Sequence, residues 1–534
     1  MTAAHPTRPQ AAAWLGVLVI AALLLWRDHP HFQLGAQWDD ADYVVLARSF
    51  TAGGDYGLIN SPGAPGRANY PFGFPLLLAP LVALFPRNFE LLKLVPTTAT
   101  LANLTLLFWG WPVLARGVSR WWGVGVALLY AVSPLVVRHA SVLMSEPVFL
   151  FWCLLAVLLV ERAAAGAAGR WWPVGLGALS VAVVFTRTVG ALPLAGLAVY
   201  LLYRRGRRAL PGLAGAALAG ASLLLLVVAL TALRWPDLWP ANYLQQNAGL
   251  VSGEARLTDQ STPYPLLLLR LSARHAWLDL RNLLLAVGGG ERAQALMARL
   301  GLPWLLPLVG WALAGLTTLG WVRLLRRPGP SAFLAAALAY SAGMQLVLWT
   351  TIRFFYPVQP QLTLGLVAGV DWLGRALARG LRRPAWGPRL GRAAVLIAVT
   401  GLTLTGLRQS LLLDDSRRHA GDLAARTQWL AVHAAPSAVV MSELPRPDFL
   451  YSGLPTVDLG GYSGEAAFVA ALEAQQVDYI VSGPGVLWVN ASRPGPAAPW
   501  RELAPIVAGL VRAGRLTVAY ASPTDAVVVY QVRP

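Results

Sequence analysis

The 534-residue sequence contains a single cysteine, Cys153, and a single lysine, Lys93. One thiol excludes a disulfide framework and a thiolate metal centre. Charge is scarce too: 13% of residues are charged, about half the usual share of a soluble protein, and only 25 are acidic. With 56% hydrophobic residues and a mean hydropathy of +0.54, and with apolar runs of roughly 18 residues or more, this excludes a soluble globular enzyme, a disordered chain and a coiled coil. What the chain does have is arginine, and 43 basic residues leave a net charge of +18. In a soluble protein that surplus would suggest nucleic acid. In a membrane protein it points to the positive-inside rule, and no nucleic-acid partner is expected.

The apolar runs predict a polytopic α-helical membrane protein with about eleven transmembrane helices. They extend over Ala11 to Trp26, Leu91 to Leu114, Trp122 to Val137, Pro147 to Val160, Trp172 to Phe185, Val189 to Tyr203, Leu210 to Leu233, Leu302 to Val322, Ser331 to Trp349, Tyr356 to Leu377 and Ala393 to Leu407. The first has no A-x-A-like cleavage site before Arg27-Asp28-His29 and reads as a retained span rather than a signal peptide. Eighteen basic residues, among them Arg116, Arg204, Arg326 and Arg375, fall on one side of these spans against Glu161 and Asp371. That side is expected to be the cytoplasm of a plasma or inner membrane, with the N-terminus inside and the C-terminus outside.

Residues 1–407 are thus expected to form a membrane domain with external loops at 27–90 and 234–301. Phe74 to Phe85 is too short to span and should lie in the interface. In the second loop, Arg270, Arg274 and Arg281 form a stripe with Trp277, as on a helix at the headgroups. Residues 408–534 change character: β-branched runs at Ala438 to Met441, Tyr479 to Val481, Leu516 to Ala519 and Ala526 to Val532 alternate with helical patterns, which predicts an extracytoplasmic α/β domain.

The acids carry the functional signal. Asp39, Asp40 and Asp42 fall within four positions just after the first span, flanked by Trp38 and Tyr43. A solvated loop would explain an arbitrary acidic cluster, but adjacent carboxylates at an interface raise one another's pKa and suit a general base. Glu146, between two spans and again outside, follows Ser145 and precedes Pro147, a helix start capped by Ser145. Arg187 and Arg353 sit at tight external turns. Each could snorkel to the headgroups, or the two could receive a lipid phosphate in the bidentate way guanidinium allows. Lys93 could serve likewise. His31 and His139, with the acids, make a divalent metal a candidate cofactor on ligand type, without a diagnostic spacing.

These segments, taken in order, resemble a known family. Asp39-Asp40 with Tyr43, then Asn69-Tyr70-Pro71-Phe72-Gly73-Phe74-Pro75, Ser145-Glu146-Pro147, Thr186-Arg187 and Arg353-Phe354-Phe355-Tyr356-Pro357 resemble the C-type (GT-C) membrane glycosyltransferases. The likeness is to the branch of protein O-mannosyltransferases and aminoarabinose lipid A transferases, over roughly residues 1–380. The resemblance implies an enzyme of the outer membrane face that takes a sugar from a polyprenyl-phosphate donor with inversion. It matches Asp39 to the catalytic acid of the first loop, Asp40 to the second acid of an Asp-Glu pair, and Glu146 to the acid of the second loop. The family's second acid is usually Glu, and the aminoarabinose enzymes have Lys where Tyr70 stands. The tail matches no sugar-binding module.

On this expectation Asp39 takes a proton from an acceptor hydroxyl, and Arg187 and Arg353 stabilise the departing phosphate by about 3 kcal/mol per donor. Tyr70, Lys93 and Tyr356 join the donor site, and Asp42, His139 and His31 the acceptor or metal site. The acceptor, whether glycan, lipid or protein, is open, and membrane lipids are expected partners. The rival is a transporter or flippase of lipid-linked sugars, but the acids lie at the outer ends of spans, away from the midplane, and no repeat is visible.

Overall fold

The computed structural model describes residues 6–31, 34–35, 39–52, 56–63, 66–67, 70–232, 299, 301–302, 304–326, 329–344, 352–411, 416–460, 462, 464–482, 498–522 and 527–533. The second external loop, with the arginine stripe and Trp277, lies outside these residues apart from a few at its end, as do Trp38 and Asn69.

Wherever the chain is described, the apolar runs fold as helices, because a backbone in hydrocarbon must satisfy its own hydrogen bonds. The first is α1 (Arg8–Asp28), opened by a capping box of Thr7 and Gln10. Two helices follow, α2 (Asp39–Thr51) and the wholly apolar α3 (Gly73–Leu84), with a two-stranded hairpin of β1 (Gly57–Leu58) and β2 (Gly66–Arg67) between them. The bundle continues through α4 (Phe89–Leu92), α5 (Leu94–Leu114), α6 (Arg120–Ala131), α7 (Pro134–Ser141), α8 (Glu146–Ala164), α9 (Trp172–Thr186), α10 (Ala191–Arg205) and α11 (Leu210–Ala232). Past the undescribed loop come α12 (Leu305–Arg326), α13 (Ala332–Met344), α14 (Gln359–Gly380) and α15 (Gly387–Leu411).

Among the described residues, six helical stretches are long and apolar enough to cross a membrane, or seven if α6 and α7, bent by 59°, form one span. The expected eleven also include helices that this length-and-composition criterion, applied to the described residues, leaves out or merges. Helix α9 has 15 residues and α13 has 13 described residues, α10 and α11 run on as one apolar stretch through a 3-10 turn, and α14 carries Asp371, Arg375 and Arg379. Small residues let several helix pairs approach at backbone distance. A Cβ on Gly320 of α12 would stand 1.8 Å from the carbonyl oxygen of Gly365 on α14, and one on Gly369 would stand 2.0 Å from that of Leu316.

The expected interfacial segment is α3. Phe74, Leu78 and Val82 are buried, while Leu76, Leu77 and Leu84 face outward. Its start lies against α9 so closely that a Cβ on Gly73 would be 2.6 Å from the Phe185 carbonyl oxygen.

Residues 416–533 form an α/β layer. Its five-stranded sheet has β3 (Val439–Ser442) between β4 (Thr456–Asp458) and β5 (Val477–Ser482), both parallel to it, with β7 (Val528–Val532) and β6 (Leu516–Ala521) added antiparallel. Side-chain alternation divides its core. Met441 and Ile480 pack with α18 (Glu465–Ala474) and α19 (Ala498–Arg512) on one face. Val440 and Val481 pack with Leu430 of α16 (Ser416–His433) on the other. Through α17 (Pro445–Ser452) and β4 the layer sits on the segment that follows α1. The Leu34 N–H donates to Tyr451 Oη at 3.0 Å, and the Thr456 N–H donates to the Asn60 carbonyl at 2.6 Å. The Tyr451 ring meets Phe89 edge-on at 5.0 Å.

Candidate functional site

Helix geometry sorts the three aspartates. Positions i and i+3 share a face and neighbouring positions diverge by about 100°, so Asp39 and Asp42 look one way and Asp40 another. Asp40 is fully buried and accepts the Gly35 N–H at 3.0 Å. Asp39 forms an ion pair with Arg353 and accepts the Tyr70 hydroxyl at 3.0 Å. Burial and the neighbouring Asp39 carboxylate push the Tyr70 phenol well above its usual pKa, so it stays a proton donor.

Asp42 lies beside them, only 7% exposed. Burial pushes its carboxyl up to about 6, against the opposing pull of Arg446 and with Asp39 adding to the rise. Neighbouring carboxylates were expected to raise one member of the cluster. Here burial is the larger cause, and Asp42 is the member raised.

Glu146 opens α8 and is fully buried. Arg187, in the turn between α9 and α10, approaches it at 2.8 Å. That approach lacks hydrogen-bond geometry, and the same guanidinium nitrogen donates to Ser145 Oγ at 3.1 Å. Ser145 was expected to cap α8. Its hydroxyl makes no capping bond and instead joins Arg187 to the buried Tyr43 hydroxyl, 3.1 Å away. The Tyr43 ring packs against Tyr70 at 5.2 Å and Phe74 at 4.9 Å. Tyr43 therefore ties the helix of Asp39 and Asp42 to the α8 start.

Arg353, in the 3-10 turn before α14, completes the group. The Phe354 ring lies near both guanidinium groups, 5.7 Å from Arg353 and 6.0 Å from Arg187. The Arg353 Nε is buried and has no hydrogen-bond partner among the described residues. Two guanidiniums matched by two carboxylates, Asp39 and Glu146, make a locally neutral cluster. An entering anion can bind there by taking a guanidinium from its carboxylate.

Other expected site residues are placed differently. Lys93 is buried, pairs with Glu90 at 2.7 Å and donates to the His29 carbonyl at 3.0 Å. It also lies near Asp40. Tyr356 is locked in the helix core by Tyr130 at 2.8 Å and packs against the His139 ring at 5.5 Å. His139 bonds the Leu135 carbonyl at 2.8 Å through Nδ1, while its buried Nε2 has no partner among the described residues. The His31 side chain lies outside the described residues. Among the described residues no three His, Cys, Asp or Glu side chains converge as a metal site would need. Asp39, Asp42 and Glu146 each face an arginine instead. As placed, these acids form no such set with the described histidines, and no step below runs through a divalent cation.

Three contributors escaped the sequence reading. Phe354 stood beside an expected residue and drew attention only as a flank, and Ser145 was read only as a helix cap. Arg446, on α17 of the α/β layer, faces Asp42 at 3.2 Å, and no local pattern links it to the first acids.

A second acidic knot marks the opposite end of the bundle. Glu161 pairs with Arg116 and accepts from Tyr200 at 2.9 Å and the Ala332 N–H at 2.6 Å. It is 15 positions from Glu146 on the same helix, about 22 Å at the helical rise. The α/β layer and the Asp39 cluster thus share one end, remote from Glu161.

No protein-family model matches the sequence, and no curated protein matches it. Solved structures do match in fold. One is ArnT from Cupriavidus metallidurans bound to undecaprenyl phosphate, with a TM-score of 0.57 and 14% identity over 97% of this chain and 98% of that one. The same protein in the apo state gives 0.52 and 16%, with the same coverage. The Archaeoglobus fulgidus oligosaccharyltransferase tethered to an acceptor peptide gives 0.54 and 14%, over 98% of this chain and 74% of that one. The chain is a polytopic helical protein with the fold of the GT-C membrane glycosyltransferases.

Proposed function

We propose that this protein transfers a sugar from a polyprenyl-phosphate donor to an acceptor hydroxyl at the outer face of the cytoplasmic membrane, inverting the anomeric carbon. The observation that carries this reading is the ion pair of Asp39 with Arg353, set beside the Glu146–Arg187 pair. A general base and two phosphate-binding groups stand together at one bundle end.

In this reading the donor phosphate draws Arg353 away from Asp39. The released carboxylate then accepts the proton of the acceptor hydroxyl as its oxygen attacks the anomeric carbon. The bond from that carbon to the phosphate oxygen breaks, and Arg187 and Arg353 stabilise the charge left on the lipid phosphate. Glu146 holds Arg187 in place. The outward leucines of α3 provide apolar surface beside the site for the polyprenyl chain. An undecaprenyl phosphate is bound in ArnT, which shares the fold, and this is consistent with the donor class. The side of the membrane rests on the expected arginine asymmetry, and the same argument puts the α/β layer outside.

The test is product analysis with purified protein, a labelled polyprenyl-phosphate sugar and a panel of glycan, lipid and peptide acceptors. Transfer predicts one free polyprenyl phosphate per sugar moved and inverted anomeric configuration in the product. Translocation of intact donor across proteoliposomes, with none consumed, would make the protein a flippase.

A further inference from the structure

Arg446 belongs to the α/β layer, yet it stands between two carboxylates that come from different parts of the chain. Its Nη1 donates to both oxygens of Asp458 at the end of β4, at 2.9 and 3.2 Å, and its Nε faces Asp42 on α2 at 3.2 Å. Asp458 is largely exposed, whereas Asp42 is buried. A buried carboxylate depends on its partner cation far more than an exposed one does, so Arg446 matters chiefly to Asp42.

Asp42 in turn shares Tyr70 with Asp39. The Tyr70 hydroxyl donates to Asp39 at 3.0 Å, and Asp42 lies close enough to act on the same hydroxyl. A phenol has one proton to donate. When Asp42 is ionised it competes for that proton and leaves Asp39 the stronger base. When Asp42 is protonated it donates to the phenol oxygen, the Tyr70 proton goes wholly to Asp39, and Asp39 is weakened.

We propose that Arg446 is a positioning residue of the transfer site: by holding Asp42 ionised beside Tyr70, it couples the strength of the base Asp39 to the seating of the α/β layer. This rests on the transfer reading above. The groups facing Asp42 are Asp39 on its own helix, Tyr70 and Tyr56 from the loop that follows, and Arg446 and Asp458 from the α/β layer. Arg446 is the cation among them, and Asp458 opposes it.

The sign follows. Asp42 titrates near 6, so transfer by the wild-type protein should fall on an acid limb around that pH. Arg446→Gln removes the cation and should move the limb up by roughly 1–3 pH units. Arg446→Lys should keep it near the wild-type position. Asp458→Asn, at an exposed site, frees Arg446 for Asp42 and should move the limb down. A loss of packing alone would lower the rate at every pH and could not shift the limb in opposite directions.

The experiment is the pH–rate profile of the full-length wild-type protein and these three variants, together with infrared titration of the Asp42 carboxyl band, assigned with Asp42→Asn. The infrared arm needs no turnover. Opposed shifts in Arg446→Gln and Asp458→Asn support the proposal, and Asp458→Asn alone carries it if Arg446→Gln does not fold. Unmoved limbs and an unmoved infrared midpoint overturn it. A wild-type protein that consumes no donor while its Asp42 band still shifts with Arg446 would sink the transfer reading and leave the Arg446–Asp42 coupling standing.

Discussion

Arg353 and Asp39 are 314 positions apart in sequence and form one ion pair. The carboxylate proposed as the base is therefore held by the group proposed to bind the donor phosphate. Binding of the donor and release of the base become one event, which keeps Asp39 from acting before the donor is seated.

Arg353→Gln tests this link. It should lower kcat/KM for the donor by roughly 10²- to 10³-fold, the cost of one preorganised donor to a developing charge. Inorganic phosphate or pyrophosphate should also lose its ability to compete with the donor. Steady-state kinetics with a competing anion check both effects.

The sequence showed the apolar runs and the acids with little ambiguity, because hydrophobic periodicity and the scarcity of charge are local properties. Asp39, Glu146, Arg187 and Arg353 were each visible as charges at the ends of apolar segments, and the structure gathers them. The division of labour among Asp39, Asp40 and Asp42 was only half legible. It depends on helical phase, and α2 begins at Asp39 itself, so the phase was unknown until the helix start was fixed. Lys93 looked equivalent to the arginines. Its engagement with Glu90 comes from the short helix α4, which the sequence merged with the following span. Arg446 was invisible because its partner lies at the other end of the chain.

The Glu146–Arg187 pair is buried, so removing one partner strands the other. Arg187→Ala should destabilise the protein by about 3–5 kcal/mol. Combining Glu146→Gln with Arg187→Met should recover much of that stability without recovering transfer. Thermal unfolding of the detergent-solubilised variants, alongside a transfer assay, separates the two roles.

Glu443, between β3 and α17, is buried with neither carboxylate oxygen bonded among the described residues. Burial pushes its pKa up to about 7, against the pull of Arg426. The folded value lies above the unfolded one, so the folded protein binds more protons and stability falls as pH rises from about 4.5 to about 7. Glu443→Gln should therefore stabilise the full-length protein by up to about 3 kcal/mol at pH 8 and by much less at pH 5. Melting temperatures at the two pH values check this, and an equal gain at both would contradict it.

The central claim is that Asp39, and not its neighbour Asp40, is the base of a sugar transfer. The most direct measurement is the single-turnover rate of purified Asp39→Asn and Asp40→Asn on saturating polyprenyl-phosphate sugar, with donor binding measured in parallel. The account predicts that Asp39→Asn binds donor and loses transfer by roughly 10²- to 10⁴-fold, the usual contribution of a general base. Asp40→Asn, which faces Gly35 and Lys93, should keep a near-wild-type rate at reduced stability. Transfer by Asp39→Asn at the wild-type rate would contradict the account.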